Sequence, residues 1–304
     1  MDIDVVCEGL VFPEGPVAMA DGSVIVVEIE GQRLTRVLPD GTKQTVAEVP
    51  GGPNGAAIGP DGAIYVCNNG GRFEFLKVGD LTFAGPAPDS HKGGSIQRVD
   101  IVTGKVTTLY TECEGRPLWA PNDLVFDRQG GLWFTDNGRN NGRTLELGGL
   151  YYCRTDGSEI RPLRRGMISP NGVGLSPDES EVYVADTALC PLWAFALKAP
   201  GVLGEQPFRQ HGRIVANLQG YQLVDSLAVE AGGKVCVATL MNGGITIFDP
   251  VSGETEHTAF PDAMTTNIAF GGADMRDAWI TGSSTGRLFK CRWPRPGLKL
   301  NFSA

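Results

Sequence analysis

The sequence lacks the features by which nucleic-acid-binding, membrane and secreted proteins are usually recognised. Its net charge is −9 and its pI is near 4.9, so it has no basic excess for phosphate groups. It contains no run of 18 apolar residues, which a membrane-spanning helix would need. Its N-terminus, MDIDVVCEGL, has no basic segment of the kind that begins a signal peptide. We therefore expect a cytoplasmic protein whose partners include neither nucleic acid nor a membrane.

Several common catalytic motifs are also missing. The three histidines, His91, His211 and His257, do not have metal-ligand spacing, and there is no HExxH, P-loop or Rossmann glycine run. Residues 282–286, GSSTG, match the serine-nucleophile pattern, but they lie between two predicted strands rather than before a helix, which predicts a hairpin turn. The seven cysteines form no CxxC pair, and several lie within strand patterns, so we interpret them as reduced core residues.

What the sequence does contain is one short unit repeated six times. Residues 169–187, SPNGVGLSPDESEVYVADT, have the pattern of a β-hairpin, and related stretches begin near residues 13, 53, 121, 224 and 266. Repeats of short strands at this spacing are typical of a β-propeller. We predict an all-β, six-bladed propeller that forms a single domain over residues 1–304. Its last blade has only three strands of its own, so the N-terminal run Val5–Val11 should pair with that blade and close the ring.

The same position, just before the first strand of each repeat, holds a carboxylate or a carboxamide. The six residues are Glu14, Asn54, Asn122, Asn171, Asp225 and Asn267, which lie 40, 68, 49, 54 and 42 residues apart. First strands line the channel of a propeller, so these side chains should converge on its axis. Oxygen ligands without His or Cys suit hard divalent cations. Two alternatives remain open: turn chemistry at individual Pro-Asn-Gly copies, and an acidic, water-filled channel without an ion.

An insertion at residues 70–93, GGRFEFLKVGDLTFAGPAPDSHKG, interrupts the second repeat and contains Arg72 and His91. Long loops on a rigid scaffold often carry function. The insertion is either a lid over one end of the channel or a surface excursion.

The pieces FPEGP, PNDLVFD, SPNGVGLSPD, DSLAVE and TNIAFGG resemble those of the SMP-30/gluconolactonase/LRE (regucalcin-like) family over nearly the whole chain. The resemblance implies a propeller with one catalytic divalent metal in its channel, ligated by Glu14, Asn171 and Asp225. It also implies that Asp225 is the catalytic acid or base, acting as base or as nucleophile. Asn122 either joins the ligands or contacts substrate. The expected metal is calcium, with zinc, manganese, magnesium or iron as alternatives.

The function that the resemblance implies is the opening of a sugar lactone, or a related small lactone, to its hydroxy acid. Asn54, Asn122, Asn267 and Trp119 are the expected substrate contacts. Sugar-lactone relatives often carry Arg two residues before the third-repeat Asn, whereas this chain has Ala120, which puts a sugar substrate in question. The alternatives are an organophosphate-type (diisopropylfluorophosphatase-like) hydrolase and a non-catalytic metal-binding propeller. We expect a monomer or a small homo-oligomer.

Overall fold

The structure, a computed structural model, describes residues 1–205 and 212–303, so His211 lies outside the described residues. It is all-β and confirms the six-bladed propeller: six antiparallel sheets follow one another along the chain. The inner strands of successive blades contact each other, and that of the sixth contacts that of the first. In the part of the chain that is described, no helix is available to span a membrane.

Each blade consists of four strands, ordered below from the channel outward. The strands of blades 1 to 3 are Pro13–Ala18, Val24–Glu28, Arg33–Val37 and Lys43–Glu48; Pro53–Ile58, Ile64–Asn68, Ser95–Val99 and Val106–Tyr110; Pro121–Phe126, Leu132–Asp136, Gly148–Cys153 and Ile160–Met167. The strands of blades 4 to 6 are Pro170–Leu175, Glu181–Asp186, Pro191–Ala199 and Arg213–Asn217; Leu223–Val229, Val235–Leu240, Gly244–Phe248 and Thr255–Ala259; Thr265–Gly271, Asp277–Gly282, Arg287–Arg292 and Ile3–Cys7. Short extra strands are Phe75–Val78 with Leu81–Ala84, Glu112–Cys113 with Arg116–Pro117, Arg139–Asn140 with Leu145–Glu146, and Val202–Leu203 on blade 4.

The hydrophobic core lies between the faces of neighbouring blades. The second strands, such as Val24–Glu28 and Leu132–Asp136, are buried along their whole length because a blade packs on each of their faces. This explains why they are continuous apolar runs rather than alternating ones. Between blades 2 and 3, for example, Tyr65 packs edge-on against Phe126, with ring centroids 5.2 Å apart.

The N-terminal strand is the outer strand of blade 6, where Ile3 is paired with Cys291 in an antiparallel register. It ends at Cys7, so the expected bounds Val5–Val11 were wrong. The chain turns at Gly9, whose φ is +70°, and the Leu10 amide instead donates to Gly286 O at 2.9 Å. The apolar pair Val11–Phe12 continues the strand pattern in the sequence, but Phe12 has a φ of +57° and cannot extend it.

The GSSTG stretch is a hairpin turn, as predicted. Its first residue, Gly282, pairs with Arg287 across the turn. The Ser284 hydroxyl donates to the Asp262 carboxylate at 2.5 Å, so it is part of a structural contact.

Candidate metal centre

The six oxygen-bearing residues are all buried at the start of the inner strands. They are the second or third residue of the strand rather than the residue before it: Glu14, Asn54, Asn122, Asn171, Asp225 and Asn267. At each of these points the pairing with the second strand shifts register. Such irregularities re-aim a side chain relative to a regular strand. The repeated Pro-Asn-Gly is therefore the site of a strand irregularity and not a connecting turn.

Three of the six residues, Glu14, Asn54 and Asn171, are followed by a glycine, which the close approach of neighbouring inner strands requires. A Cβ on Gly55 would lie 2.5 Å from Asn122 O, and one on Gly172 would lie 2.7 Å from Asp225 O. Both distances are far below ordinary van der Waals contact. The glycines thus let blades 1, 2 and 4 pack against the same position of the next blade. Because all six inner strands also contact their neighbours in turn, the six residues form one ring, called the channel ring below.

Hydrogen bonds connect members of the channel ring across blades. Asn267 Nδ2 donates to Glu14 Oε2 at 2.7 Å, which joins blade 6 to blade 1. Asn54 Nδ2 donates to Asn122 O at 3.3 Å, which joins blade 2 to blade 3. The Asn171 side chain also contacts blade 5, because its Oδ1 accepts from Ser226 Oγ at 3.3 Å. These contacts show that residues up to 253 positions apart in the chain share one site.

The environment of the channel ring disfavours the ionised form of its two carboxyl groups. Burial raises the pKa of Asp225 to about 8, with the charge of Asp123 adding to the effect and hydrogen bonding from Asn171 opposing it. Burial, and next the neighbouring charge of Asp225, raise the pKa of Glu14 well above its usual range. No cation among the described residues offsets either shift. A bound divalent cation would remove this penalty.

A third carboxylate in the channel was not assigned from the sequence. Asp123 follows Asn122 directly, is buried, and has its pKa raised to about 7 by that burial. It accepts hydrogen bonds from the amides of Leu124 at 2.8 Å and Val173 at 3.3 Å, which ties blade 3 to blade 4. The sequence could have identified Asp123, because a carboxylate there replaces the glycine of the second and fourth copies.

The donor set fits a hard divalent cation. Asn122 Oδ1 is buried and has no hydrogen-bond partner among the described residues, so its lone pairs are available to a cation. Across residues 1–205 and 212–303, no three His, Cys, Asp or Glu side chains come together at metal-ligand spacing. The ligand set expected from the sequence consists of two carboxylates, with carboxamide oxygens as the remaining ligands. Ca²⁺ binds both kinds of oxygen.

The insertion lies at the channel-ring end of the propeller. Because Pro53 pairs with Asn68, the second strand of blade 2 ends where the inner strand begins, and the insertion leaves from that end. Its Phe75 ring lies 5.0 Å from that of Phe12, beside blade 1. Its Thr82 amide donates to Ser284 O on blade 6 at 3.0 Å. Its Ala87 amide donates to Asn140 O in the loop of blade 3 at 2.8 Å. Blades 3 and 6 face each other across the six-bladed ring, so the insertion extends across the mouth of the channel, which is the arrangement that the lid alternative requires.

Trp119 lies beneath this lid. Its backbone amide and that of Ala120 each donate to the Asp136 carboxylate at 2.7 Å, which fixes the segment that leads into Asn122. The Trp119 ring centroid lies 6.2 Å from that of His91, which belongs to the lid. The Trp119 ring therefore lies against the lid, three residues before Asn122 in the chain.

A cavity of about 310 Å³ fills the channel on the other side of the ring. Its walls are later residues of the inner strands, such as Ile58 and Phe126, and the C-terminal segment closes it through Leu300 and Asn301. Asn301 Nδ2 donates to Phe126 O at 3.1 Å, which holds this plug in place. The channel is thus capped at both ends, by the lid above and by the C-terminus below.

The amino-acid sequence from residue 12 to residue 284 matches the profile of the SMP-30/Gluconolactonase/LRE-like region. The chain belongs to the SMP-30/gluconolactonase/LRE-like family. Among curated relatives, it is 25% identical to a gluconolactonase of Zymomonas mobilis over 272 residues, which cover 82% of this chain and 69% of that protein. It is 27% identical over 230 residues to lactonase drp35 of Staphylococcus aureus, covering 75% of this chain and 63% of the relative. This chain therefore spans somewhat less than two thirds of the length of drp35.

Among solved structures, the fold is similar to that of regucalcin from Agrobacterium tumefaciens, described as a calcium-binding protein. The two superpose with a TM-score of 0.73 at 20% sequence identity, covering 97% of each chain. At this identity the likeness supports the family's propeller fold, and the chemistry has to follow from the channel ring itself.

Proposed function

We propose that this protein is a metal-dependent lactonase that opens a small lactone to the hydroxy acid. The observation that supports this best is the combination, in one channel, of two buried carboxylates without a cation and a buried carboxamide oxygen without a partner. The relatives named gluconolactonase and lactonase drp35 support the substrate class.

The ion would be held by Glu14, Asn171 and Asp225, with Asn122 as a fourth ligand or a substrate contact. Calcium is the metal we expect, because the donors are all oxygen and the regucalcin neighbour is described as calcium-binding. Asn54 and Asn267 would line the channel: Asn54 Oδ1 accepts from Asn69 Nδ2 at 3.1 Å, and Asn267 Nδ2 donates to Glu14 Oε2 at 2.7 Å and so orients that ligand. When bound, a divalent ion supplies polarisation of an acyl carbonyl and stabilisation of the developing oxyanion.

Asp225 is the group proposed to move the proton. It accepts a proton from the water that attacks the acyl carbon, and the acyl–oxygen bond of the ring then breaks. The proton passes to the departing ring oxygen, which gives a hydroxy acid with no other reactant. Burial beneath the lid suits this role, because exclusion of bulk water strengthens each electrostatic contact at the site. Trp119 offers a flat apolar wall for the substrate ring.

We also propose a domain organisation and a cellular location for the protein. We propose that residues 1–304 act as a single propeller domain. The seven cysteines are all free, and six of them are buried. Free core thiols are compatible with the reducing cytoplasm, where we place the protein.

The test is a pair of substrate panels, one of lactones and one of phosphotriesters, each assayed with chelated protein and with added Ca²⁺, Mg²⁺, Mn²⁺ or Zn²⁺. We expect lactone opening, followed by acid release in a pH-stat, only when a divalent ion is present. Glu14→Gln should abolish it. Hydrolysis of phosphotriesters alone would identify an organophosphate-type hydrolase, and inactivity on both panels with tight metal binding would identify a non-catalytic propeller.

A further inference from the structure

The lid contains a buried arginine that forms no ion pair within the part of the chain that the structure describes. Arg72 is 7% exposed, its Nε donates to Gly138 O at 3.3 Å, and its Nη1 is buried with no hydrogen-bond partner. A buried guanidinium is normally paired, because desolvating a charge is costly and an unmet donor adds to that cost. Such a group in a native protein calls for an explanation, and a missing ligand is one.

The surroundings of Arg72 include a second positive charge, and its favourable neighbours are the Phe73 ring, whose centroid lies 4.9 Å from the guanidinium carbon, and Asp136. Burial lowers the pKa of Arg72 to about 10, and the nearby Arg139 contributes to the shift. The guanidinium of Arg139 lies 5.7 Å from the Trp119 ring centroid, and its Nε is also buried without a partner. The one carboxylate that acts favourably on Arg72 is Asp136, whose oxygens already accept three backbone amides. Within residues 1–205 and 212–303, no carboxylate forms an ion pair with Arg72.

Arg72 lies next to the channel ring. Its backbone amide donates to Asn69 Oδ1 at 3.0 Å, and Asn69 Nδ2 donates to Asn54 Oδ1 at 3.1 Å. Two hydrogen bonds therefore connect the arginine to a ring member. On its other side, Gly138 O belongs to the loop after the second strand of blade 3, so the guanidinium lies between two blades at the covered mouth.

His91 adds an acceptor at the same place. Its Nε2 lies 2.8 Å from Asn69 O, which can only accept, so Nε2 carries the proton. Its Nδ1 is buried and has no partner. Burial lowers the pKa of His91, which keeps the ring neutral and leaves Nδ1 free to accept from a hydroxyl group. The residues beneath the lid therefore present unpaired donors on Arg72 and Arg139, which suit an anion, and an unpaired acceptor on His91, which suits a hydroxyl group.

We propose that Arg72 is a specificity-determining residue that binds a carboxylate on the substrate, so that the preferred lactone is an acidic one. This inference rests on the proposed lactonase function and names its substrate class. A guanidinium can bind a carboxylate through two parallel hydrogen bonds, which a lysine cannot reproduce. The carboxylate would satisfy Nη1 and offset the charge that Arg72 and Arg139 share, while the reacting carbonyl faces the channel ring.

The test compares two lactones that differ only in charge: γ-butyrolactone-γ-carboxylate and its neutral γ-carboxamide. For the metal-loaded wild-type protein, kcat/KM should favour the carboxylate. Arg72→Gln should lower that preference about 10- to 100-fold, the range expected for a charge-assisted hydrogen bond, because the carboxylate loses an ionic partner and the neutral carboxamide does not. Arg72→Lys should retain part of the preference. Arg143→Gln, a change of the same kind at an exposed arginine of the neighbouring loop, should retain all of it.

A second arm does not depend on catalysis. The product of the acidic lactone, α-hydroxyglutarate, is titrated calorimetrically into the same four proteins, whose folding is checked by thermal melts. We expect binding by wild type and Arg143→Gln, and a loss of about 10- to 100-fold in affinity for Arg72→Gln. If no lactone is opened but this pattern holds, the proposed function fails and the anion site stands. An unchanged carboxylate preference and unchanged α-hydroxyglutarate affinity in folded Arg72→Gln would overturn the proposal and leave Arg72 as a structural tie to Gly138.

Discussion

The substitution Asp225→Asn distinguishes the two roles proposed for this side chain, metal ligand and proton acceptor. The substitution keeps the size and one carbonyl oxygen, and it removes a negative charge and the proton acceptor. At saturating metal, turnover should fall about 10²–10⁴-fold, which is the usual contribution of general acid–base catalysis. Metal affinity should fall far less, because Glu14 and the carboxamide oxygens remain.

The same substitution should have the opposite effect on the stability of the metal-free protein. Asp225 is 8% exposed, and burial raises its pKa to about 8, above the value of 3.8 expected when exposed. A carboxyl group whose pKa is raised by folding costs stability as pH rises through that interval. In chelator, Asp225→Asn should therefore stabilise the protein by on the order of a few kcal/mol at pH 8, and by little at pH 4.

The assay combines calorimetric metal titration, pH-stat turnover at saturating metal, and urea unfolding in chelator at both pH values. The matched control is Asp127→Asn, another buried aspartate, which accepts from Trp133 Nε1 at 3.1 Å at the opposite end of its inner strand. It should lose stability at both pH values and keep its metal affinity. Near wild-type turnover of Asp225→Asn would show that Asp225 is only a ligand, and a destabilised metal-free variant at pH 8 would refute the electrostatic argument.

Three further predictions concern other parts of the molecule. Asn171→Asp adds a charge to the ring, so calorimetry should show tighter metal binding and the pH-stat slower turnover; weaker binding would remove Asn171 from the ligand set. Glu28 is buried and bonded to Arg33 at 2.7 Å, and its pKa is lowered, so its stabilisation is present at neutral pH and lost as pH falls below about 4. Glu28→Gln should thus cost about 1–3 kcal/mol in urea unfolding at pH 7 and less at pH 3, and equal losses would contradict this. Phe75→Ala removes the ring contact of the lid with Phe12, so proteolysis within residues 70–93 should quicken, whereas an unchanged rate would mean that other contacts hold the lid.

The architecture could be predicted from the sequence because it is repetitive. A single Pro-Asn-Gly, such as that at residue 171, is ambiguous, but six related copies identify six inner strands and the oxygen-bearing position in each. The irregular pairing at that position was not predictable, because it depends on the close approach of the next blade to Gly55 and Gly172. Pattern alone therefore placed the ring residues just before the strands instead of within them.

Features that occur only once were the hardest to predict. Arg72 and His91 belong to an insertion without a counterpart in other repeats. The sequence therefore did not indicate that each is buried with a side-chain nitrogen that has no hydrogen-bond partner among the described residues. Asp123 was overlooked because it occupies a glycine position of the motif. The bounds predicted for the N-terminal strand lay too far along the sequence. Val11 and Phe12 have the composition of a strand, but they follow the turn at Gly9.

We propose that one divalent ion in the channel ring makes this propeller a lactonase. The most direct measurement is stoichiometric reconstitution: chelated protein receives Ca²⁺ in small steps while lactone opening is followed in a pH-stat. We expect no opening above background without the ion, then a linear rise in rate with added Ca²⁺ and a break at one ion per chain, with no rise for Glu14→Gln. Full lactone opening by wild-type protein in excess chelator would contradict it.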